Sequence, residues 1–441
     1  MRKWIWLLIL IIWVGALVYP WRGLPPLLNF LTYPTSPLQI SFAHDDHTFA
    51  QSPYPGLQVN YDQRGVPHIF AENDPALAFG MGYTHAKDRL FQLEMLRRTT
   101  RGRLSEVVGP RALPSAKFLL KFQVEEKSKA AYEAMLKSDP ELTNMFDAYA
   151  NGFNFYLEQM KPAEKALEFH LLGFEPTPMQ AYTPIMLIRY MDKVLAYSEN
   201  DLKFSALRNH LPDSLIRYYY PLLSEYAFPI YPEISPGAEA TFRDSASLAY
   251  LPQSDFPSAQ VRRGNENEVG SNNWAVAADK SATGNAFLCN DTHLGLDLPG
   301  TWYEVHQVVN QRVVHGFSIP GSPFVVSGFT EKLGWGMTNA TWDLTEFYHL
   351  ETNENGEYKL DGQWEQMEAV HTEIPVKGAE AYPFTFYKTY FGPTDTIDGE
   401  MLATQWVADN FDHNEMKAFY ALYRANNIQA GYEALLNFGH P

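Results

Sequence analysis

The serine in Gly270-Ser271-Asn272-Asn273-Trp274 is the side chain best placed for nucleophilic chemistry. It follows a flexible glycine at the mouth of Trp274-Ala275-Val276-Ala277-Ala278, a run whose pattern predicts a buried strand. A serine entering a strand is also an ordinary turn residue that bonds its own backbone, and the stretch alone leaves both readings open. A hydroxyl is a weak nucleophile and needs a base. The chain has neither a Gly-x-Ser-x-Gly elbow nor a His-Glu-x-x-His zinc helix. Other polar candidates are His293, the oxygen-bearing Asp343, Thr345 and Glu346, and Asp201 with Glu199 nearby. Taken singly, His293 reads as a satisfied core histidine and the carboxylates as solvated surface and helix caps. Cys289 lies in the apolar run Ala286-Phe287-Leu288-Cys289 and reads as a buried small hydrophobe. As the single cysteine it permits no intrachain disulfide.

The elements that must position these residues fall into two textures. After a Pro-rich connector, alternation at Leu57, Val59 and Tyr61 predicts a half-buried strand. Asp62-Gln63-Arg64-Gly65 turns it, and Val66 to Phe70 returns, so the pair reads as a hairpin. Asn73 or Asp74, with Pro75 in the first turn, opens a helix that runs to Gly102. A second helix starts at Asp139-Pro140, with Leu142, Met145, Phe146, Tyr149, Phe153, Tyr156 and Leu157 on one face. A third opens at Thr183-Pro184 and turns polar near Ser198 to Asp201. From about Pro232 to Gly270 the composition is that of a linker. Beyond Ser271 strands follow: Trp274 to Ala278, Ala286 to Asn290, Trp302 to Val309, Val313 to Phe317 and Pro323 to Val326. Helices first and strands second, with a joint between, is an α+β pattern.

The 441 residues, 46% hydrophobic, suffice for a large core. A net charge of -17 and the lack of any Lys/Arg cluster exclude a phosphate-tracking surface, so no nucleic-acid partner is expected. Aromatics at 15% exceed an ordinary core's needs and suggest apolar pockets or an interface. Arg2 and Lys3 precede an apolar run from Trp4 to Tyr19, the pattern of an export signal with the N-terminus inside. No small-x-small cleavage site follows, so a removed signal peptide and an uncleaved anchor both stay open.

Several separated segments carry a resemblance. In the first half these are Asp62 to Ile69, Gly82-Tyr83-Thr84-His85-Ala86-Lys87-Asp88-Arg89-Leu90-Phe91-Gln92, Arg97-Arg98, Gly102 to Glu106, and Glu168 to Gly173. In the second half they are Gly270 to Trp274, Asn290-Asp291-Thr292-His293-Leu294, Pro320-Gly321-Ser322-Pro323 and Leu333-Gly334-Trp335-Gly336-Met337-Thr338-Asn339. In order and spacing, from about Leu57 to the end, the chain resembles the penicillin acylase family of N-terminal-nucleophile hydrolases.

The resemblance implies an αββα four-layer sandwich and an exported precursor that cuts itself between Gly270 and Ser271. It divides the chain into a signal (1–22), a connector (23–55), a mainly helical alpha-chain-like segment (56–231), a spacer (232–270) and the start of a beta-chain-like segment (271–441), the two segments staying paired after the cut. Cutting would free the α-amine of Ser271. Such an amine ordinarily titrates near ~7.7–8.0 and can take the hydroxyl's proton, which an amide cannot. The resemblance assigns His293 to orienting that amine or to the oxyanion site, and the Asn339 main-chain N–H to holding the oxyanion. Met337 and Phe324 are candidates for an acyl pocket. A structural calcium is expected from Asp343, Thr345 and Glu346 with Asp201, or alternatively Glu199, as partner carboxylate. The implied activity is hydrolysis of an N-acyl amide, penicillin-type, acyl-homoserine lactone or similar, in the periplasm or on a membrane anchor facing it, through residues 4–19. Two departures stand out. Thr292 replaces the family's usual proline, and the chain stops before the family's second oxyanion donor, an asparagine side chain. The expectation is therefore a truncated precursor with an incomplete fold. An inactive fragment or half of a split enzyme, and a surface-anchored binding protein without catalysis, are the alternatives.

Overall fold

The computed structural model describes residues 10, 13–15, 47–48, 52–162, 164–219, 271–339, 344–397, 399–411 and 415–439. The expected export segment and connector fall mostly outside these residues. The spacer, Gly270 and Asp343 fall wholly outside them.

Strands β1 (His47–Thr48), β2 (Gln58–Tyr61) and β3 (Pro67–Ala71) lead into helices α1 (Asp74–Thr100), α2 (Ser105–Val108), α3 (Leu113–Lys121), α4 (Val124–Ser138) and α5 (Pro140–Gln159). Helices α6 (Leu167–Leu172), α7 (Thr183–Ala196), α8 (Asn200–Arg208) and α9 (Asp213–Tyr219) follow. After Ser271 come β4 (Ser271–Val276), β5 (Phe287–Thr292), β6 (Tyr303–Val309), β7 (Arg312–Ser318), β8 (Ser327–Thr330) and β9 (Gly334–Trp335). Then come β10 (Thr345–His349), β11 (Glu357–Leu360), β12 (Gln363–Gln366), β13 (Glu368–Ile374), β14 (Tyr382–Thr389), β15 (Gly392–Ile397) and β16 (Glu400–Trp406). Helices α10 (Glu415–Arg424) and α11 (Ile428–Leu435) complete the described elements. The protein is α+β, as expected.

The helix starts follow from local chemistry. Asn73 caps α1 by accepting from the Ala76 N–H at 2.9 Å, with Pro75 in the first turn. Asp139 does the same for α5 through the Leu142 N–H at 3.3 Å. Helices α1 and α5 cross closely because two glycines meet there: a Cβ on Gly82 would lie 1.9 Å from the Tyr149 carbonyl oxygen, and one on Gly152 1.9 Å from that of Phe79. The buried face of α5, with Leu142, Met145, Phe146, Tyr149, Phe153 and Tyr156, forms the middle of the main core.

That core takes residues from both sides of the expected spacer, and so does the largest sheet. Its order is β1-β2-β3-β6-β7-β8-β9, and β3 pairs in parallel with β6, setting His68 opposite His306. Strand β6 alternates without exception, burying Tyr303, Val305, Gln307 and Val309 and turning Glu304, His306 and Val308 to the other face. The remaining sheets are β10-β16-β15-β14-β13 and the hairpins β11-β12 and β4-β5.

Three expectations need correction. The strand at Trp274 exists, but it is not buried: Trp274 is 50% exposed, because β4 and β5 form a two-stranded sheet of their own and residues 272–275 of β4 are exposed. Cys289, on β5, is accordingly half-buried. Pro323 to Val326 is no strand; the strand begins at Ser327. Its apolar run reflects core packing, with Phe324 buried against Tyr420 at 5.4 Å between ring centroids. Helices α10 and α11 and the five-stranded sheet were not anticipated.

Candidate active site

Ser271 is the first residue of β4 and pairs across the hairpin with Thr292 of β5. It is half-buried and opens onto a cavity of about 390 Å³. One face of α7 supplies the floor through Leu187, Ile188, Met191 and Leu195, with Met416 and Phe419 of α10 beside it. The loop Ile319 to Ser322 and the segment Met337 to Asn339 close the other sides. The wall is mostly hydrocarbon, so the cavity suits an apolar group attached to whatever reaches Ser271.

Among the residues expected at the site, Ser271 and Asn339 share this cavity. The Asn339 side chain donates to the Leu195 carbonyl at 2.6 Å, near the end of α7. Met337 lines the cavity; Phe324 does not. His293 is not among the lining residues: it is 41% exposed and bonds Asp291 through Nε2 at 3.0 Å, while its neighbours Thr292 and Leu294 face the cavity. Thr292 has a use of its own. Its hydroxyl accepts the Trp302 indole N–H at 2.9 Å and so fixes a ring of the cavity wall.

The side chain that holds the site together is Asn290, quoted in its motif but given no role there. Its Oδ1 accepts from the Met337 N–H at 3.1 Å and from the Ser327 hydroxyl at 2.9 Å, while its Nδ2 donates to the Met337 carbonyl at 2.9 Å. It thereby satisfies both backbone groups of Met337 and ties Met337 to Asn339 against the serine hairpin. Asn273 adds a bond from Nδ2 to the Gly336 carbonyl at 2.9 Å. The contact explains the glycine: a Cβ on Gly336 would lie 2.8 Å from the Asn290 Cβ.

Two buried polar clusters brace the cavity, and one of them reaches its wall through Asp192. Arg189 of α7 pairs with Asp192 at 3.0 Å and with Glu415 of α10 at 3.2 Å, all three side chains at most 1% exposed. Burial raises the Asp192 carboxyl well above the usual range, and the Arg189 cation opposes that rise. Under the loop at Gly321, the Gly321 N–H donates to the Tyr149 hydroxyl at 3.0 Å, and that hydroxyl lies 2.8 Å from His85 Nδ1. Because the tyrosine oxygen already accepts from Gly321, its proton goes to Nδ1 and His85 carries its own on Nε2. Burial, with Arg89 nearby, pushes His85 down to about 3, so the ring is neutral. Arg89 itself donates to the Gly300 carbonyl at 2.9 Å, joined there by Gln92 at 3.2 Å, so α1 anchors the loop that carries Trp302.

The expected calcium ligands come together only in part. The Ser198 N–H approaches the Thr345 hydroxyl at 3.4 Å, which brings the end of α7 and the start of α8, with Asp201 in its first turn, beside β10. Thr345 is buried and Glu346 exposed. Among the described residues no group of three or more His, Cys, Asp or Glu side chains is gathered to hold a metal. No helix among them is long and apolar enough to cross a membrane.

Comparison with known proteins gives the context of this site. The acyl-homoserine lactone acylase QuiP of Pseudomonas aeruginosa is 27% identical over 424 residues, covering 88% of this chain and 48% of that protein. The penicillin acylase 2 proenzyme of Pseudomonas sp. strain SE83 is 28% identical over 366 residues, covering 80% of this chain and 46% of its own. Penicillin G acylase of Escherichia coli is 24% identical, covering 76% and 45%. The chain thus spans about half the length of these relatives. A thermostable penicillin G acylase from Alcaligenes faecalis superposes on 38% of the chain at 20% identity with a TM-score of 0.35, a likeness that carries no weight. The sequence profile described as penicillin amidase matches residues 57–441, from the first strand of the hairpin through the cavity to the end, and the chain therefore belongs to the penicillin amidase family.

Proposed function

We propose that this chain is a precursor segment of an exported N-terminal-serine amidohydrolase that hydrolyses an N-acyl amide through an acyl-enzyme on Ser271. The observation that carries the reading is the position of Ser271 at the end of a strand, facing a largely apolar cavity beside the backbone of Met337 to Asn339. In the first reaction the Ser271 hydroxyl attacks the Gly270 carbonyl carbon, the acyl group passes from nitrogen to oxygen, and water hydrolyses the ester. Gly270 is left with a carboxylate and Ser271 with a free amine. In the second, that amine takes the hydroxyl proton as the oxygen attacks a substrate amide. The leaving amine departs with the proton, and water releases the acid.

The cavity walls favour the acyl part of the substrate, with the amine part toward solvent. Among substrates named for its relatives, acyl-homoserine lactones and penicillins both meet that description. His293 is bonded to Asp291 through Nε2 at 3.0 Å and stands outside the cavity lining, so serving the amine would require the ring to turn toward Ser271. Calcium belongs to the reading as a structural ion between α8 and β10: Asp201, Thr345, Glu346 and Asp343 offer only oxygen, the donor set that calcium prefers. Intact-mass measurement of the purified protein beside Ser271→Ala tests the proposal. A fragment starting at Ser271 that disappears in the variant supports it; a wild-type chain that stays whole, even when produced with a full-length relative's remaining segment, refutes it.

A further inference from the structure

Away from the cavity, three histidines stand in a row on the other face of the large sheet. The pairing sets His68 of β3 opposite His306 of β6, and His306 opposite His315 of β7. Two of these rings point the same nitrogen at each other: His68 Nδ1 and His306 Nδ1 are 3.0 Å apart. The His68 side chain is 32% exposed and His306 is half-buried, so solvent reaches the pair. We propose that His68 and His306 form a two-imidazole binding site for a divalent transition metal of tetragonal preference, Cu(II) before Ni(II).

The bite distance argues for this geometry. Metal–imidazole bonds of ~2.05 Å that span 3.0 Å subtend ~94° at the metal, close to the right angle of a square-planar ion. A tetrahedral ion with the same bonds would need the nitrogens ~3.3 Å apart. Among ions that accept nitrogen in a square plane, copper stands highest in affinity. Both rings belong to rigid, hydrogen-bonded strands, so the pair is held in place before the metal arrives.

The surroundings suit a cation. Asp62 Oδ2 lies 3.9 Å from His68 Nε2, on the side away from His306. In the empty pair one Nδ1–H donates to the other Nδ1. Metal binding requires both Nδ1 lone pairs, so the donating ring shifts its proton to Nε2, and for His68 that proton faces Asp62. At 3.9 Å the carboxylate offers that ring a favourable charge, not a hydrogen bond. Glu304 lies two residues before His306 and bonds His315 Nε2 at 3.1 Å. Against these two carboxylates stands Arg64, 3.6 Å from Asp62 and 3.5 Å from Glu304. With no third ligand grouped with the pair among the described residues, water completes the plane.

This inference does not depend on the acylase reading. The full chain, without a polyhistidine tag, is titrated with Cu(II) and with Ni(II) by calorimetry, and the copper form is examined by electron paramagnetic resonance with modulation of the imidazole nitrogens. The expected result is one tight site per chain with a tetragonal spectrum and two equatorial imidazoles, a reading of the wild type that needs no variant. His68→Gln and His306→Gln should each weaken binding at least tenfold, whereas His293→Gln should leave it unchanged. A spectrum with one or no imidazole, or unchanged affinity in the two variants, overturns the assignment.

Discussion

His85 makes the pH response of this fold calculable. The ring is fully buried, accepts the Tyr149 proton and is pushed down to about 3, whereas in the unfolded chain it would titrate near its ordinary value of about 6.5. The folded value is the lower one, so the unfolded state binds the extra proton and stability falls as pH falls below about 6.5, the loss levelling off near 3. Each pH unit inside that window costs about 1.4 kcal/mol, so acidification from about pH 7 to about pH 5 removes about 2 kcal/mol through this ring alone. The perturbation is His85→Gln, which can accept the Tyr149 proton but does not titrate. Urea unfolding followed by tryptophan fluorescence, for wild type and variant at both pH values, isolates the ring, because every other group contributes equally to both proteins. The wild type should lose about 2 kcal/mol more than the variant across the interval. Equal losses would refute the reasoning, whatever the variant's stability at neutral pH.

Other outcomes follow from the same contacts. Asn290→Ala should free the Met337 backbone, at a cost of about 1–3 kcal/mol in urea unfolding for polar groups left unsatisfied, and, under the proposed amidohydrolase reading, should lower turnover more than substrate affinity. Gly82→Ala should be among the most damaging single changes, because its Cβ meets the Tyr149 carbonyl oxygen where α1 and α5 cross; an unchanged melting temperature would contradict that crossing. Thr292→Val keeps the shape but removes the acceptor of the Trp302 indole, and should cost about 1 kcal/mol in unfolding. If calcium bridges α8 and β10, chelation should lower the melting temperature and added calcium should restore it, whereas Asp201→Asn should be insensitive to both.

What could be read in the chain, and what could not, divides by the range of the interaction. The starts of α1 and α5 were legible because Asn73 and Asp139 act on N–H groups three residues on. The serine hairpin was legible as two extended runs around a turn, but its exposure was not, since burial is decided by what packs against a strand. Pro323 to Val326 looked like a strand because a buried loop and a buried strand share the same apolar letters. The role of Asn290 was hidden for a similar reason: its partners, Ser327 and Met337, lie 37 and 47 residues away, and nothing local announces them. The motifs in the first half are explained by contacts across such distances. Asp88 receives the Tyr61 and Tyr303 hydroxyls, and buried Glu94 receives the Thr177 hydroxyl.

The parallel joining of β3 to β6 bears on the lifetime of the protein. Residues that meet at His68 and His306 are 238 positions apart, and before any cut one covalent thread keeps them at high local concentration. If Ser271 becomes a new N-terminus, that thread is gone while the sheet and core still run through both pieces. Folding was then an encounter within one molecule; reassembly would be an encounter between two, slower and dependent on dilution. Maturation would therefore act as a ratchet. The cut protein would persist for as long as it resists opening, and its endurance would be a matter of unfolding rate and not of equilibrium.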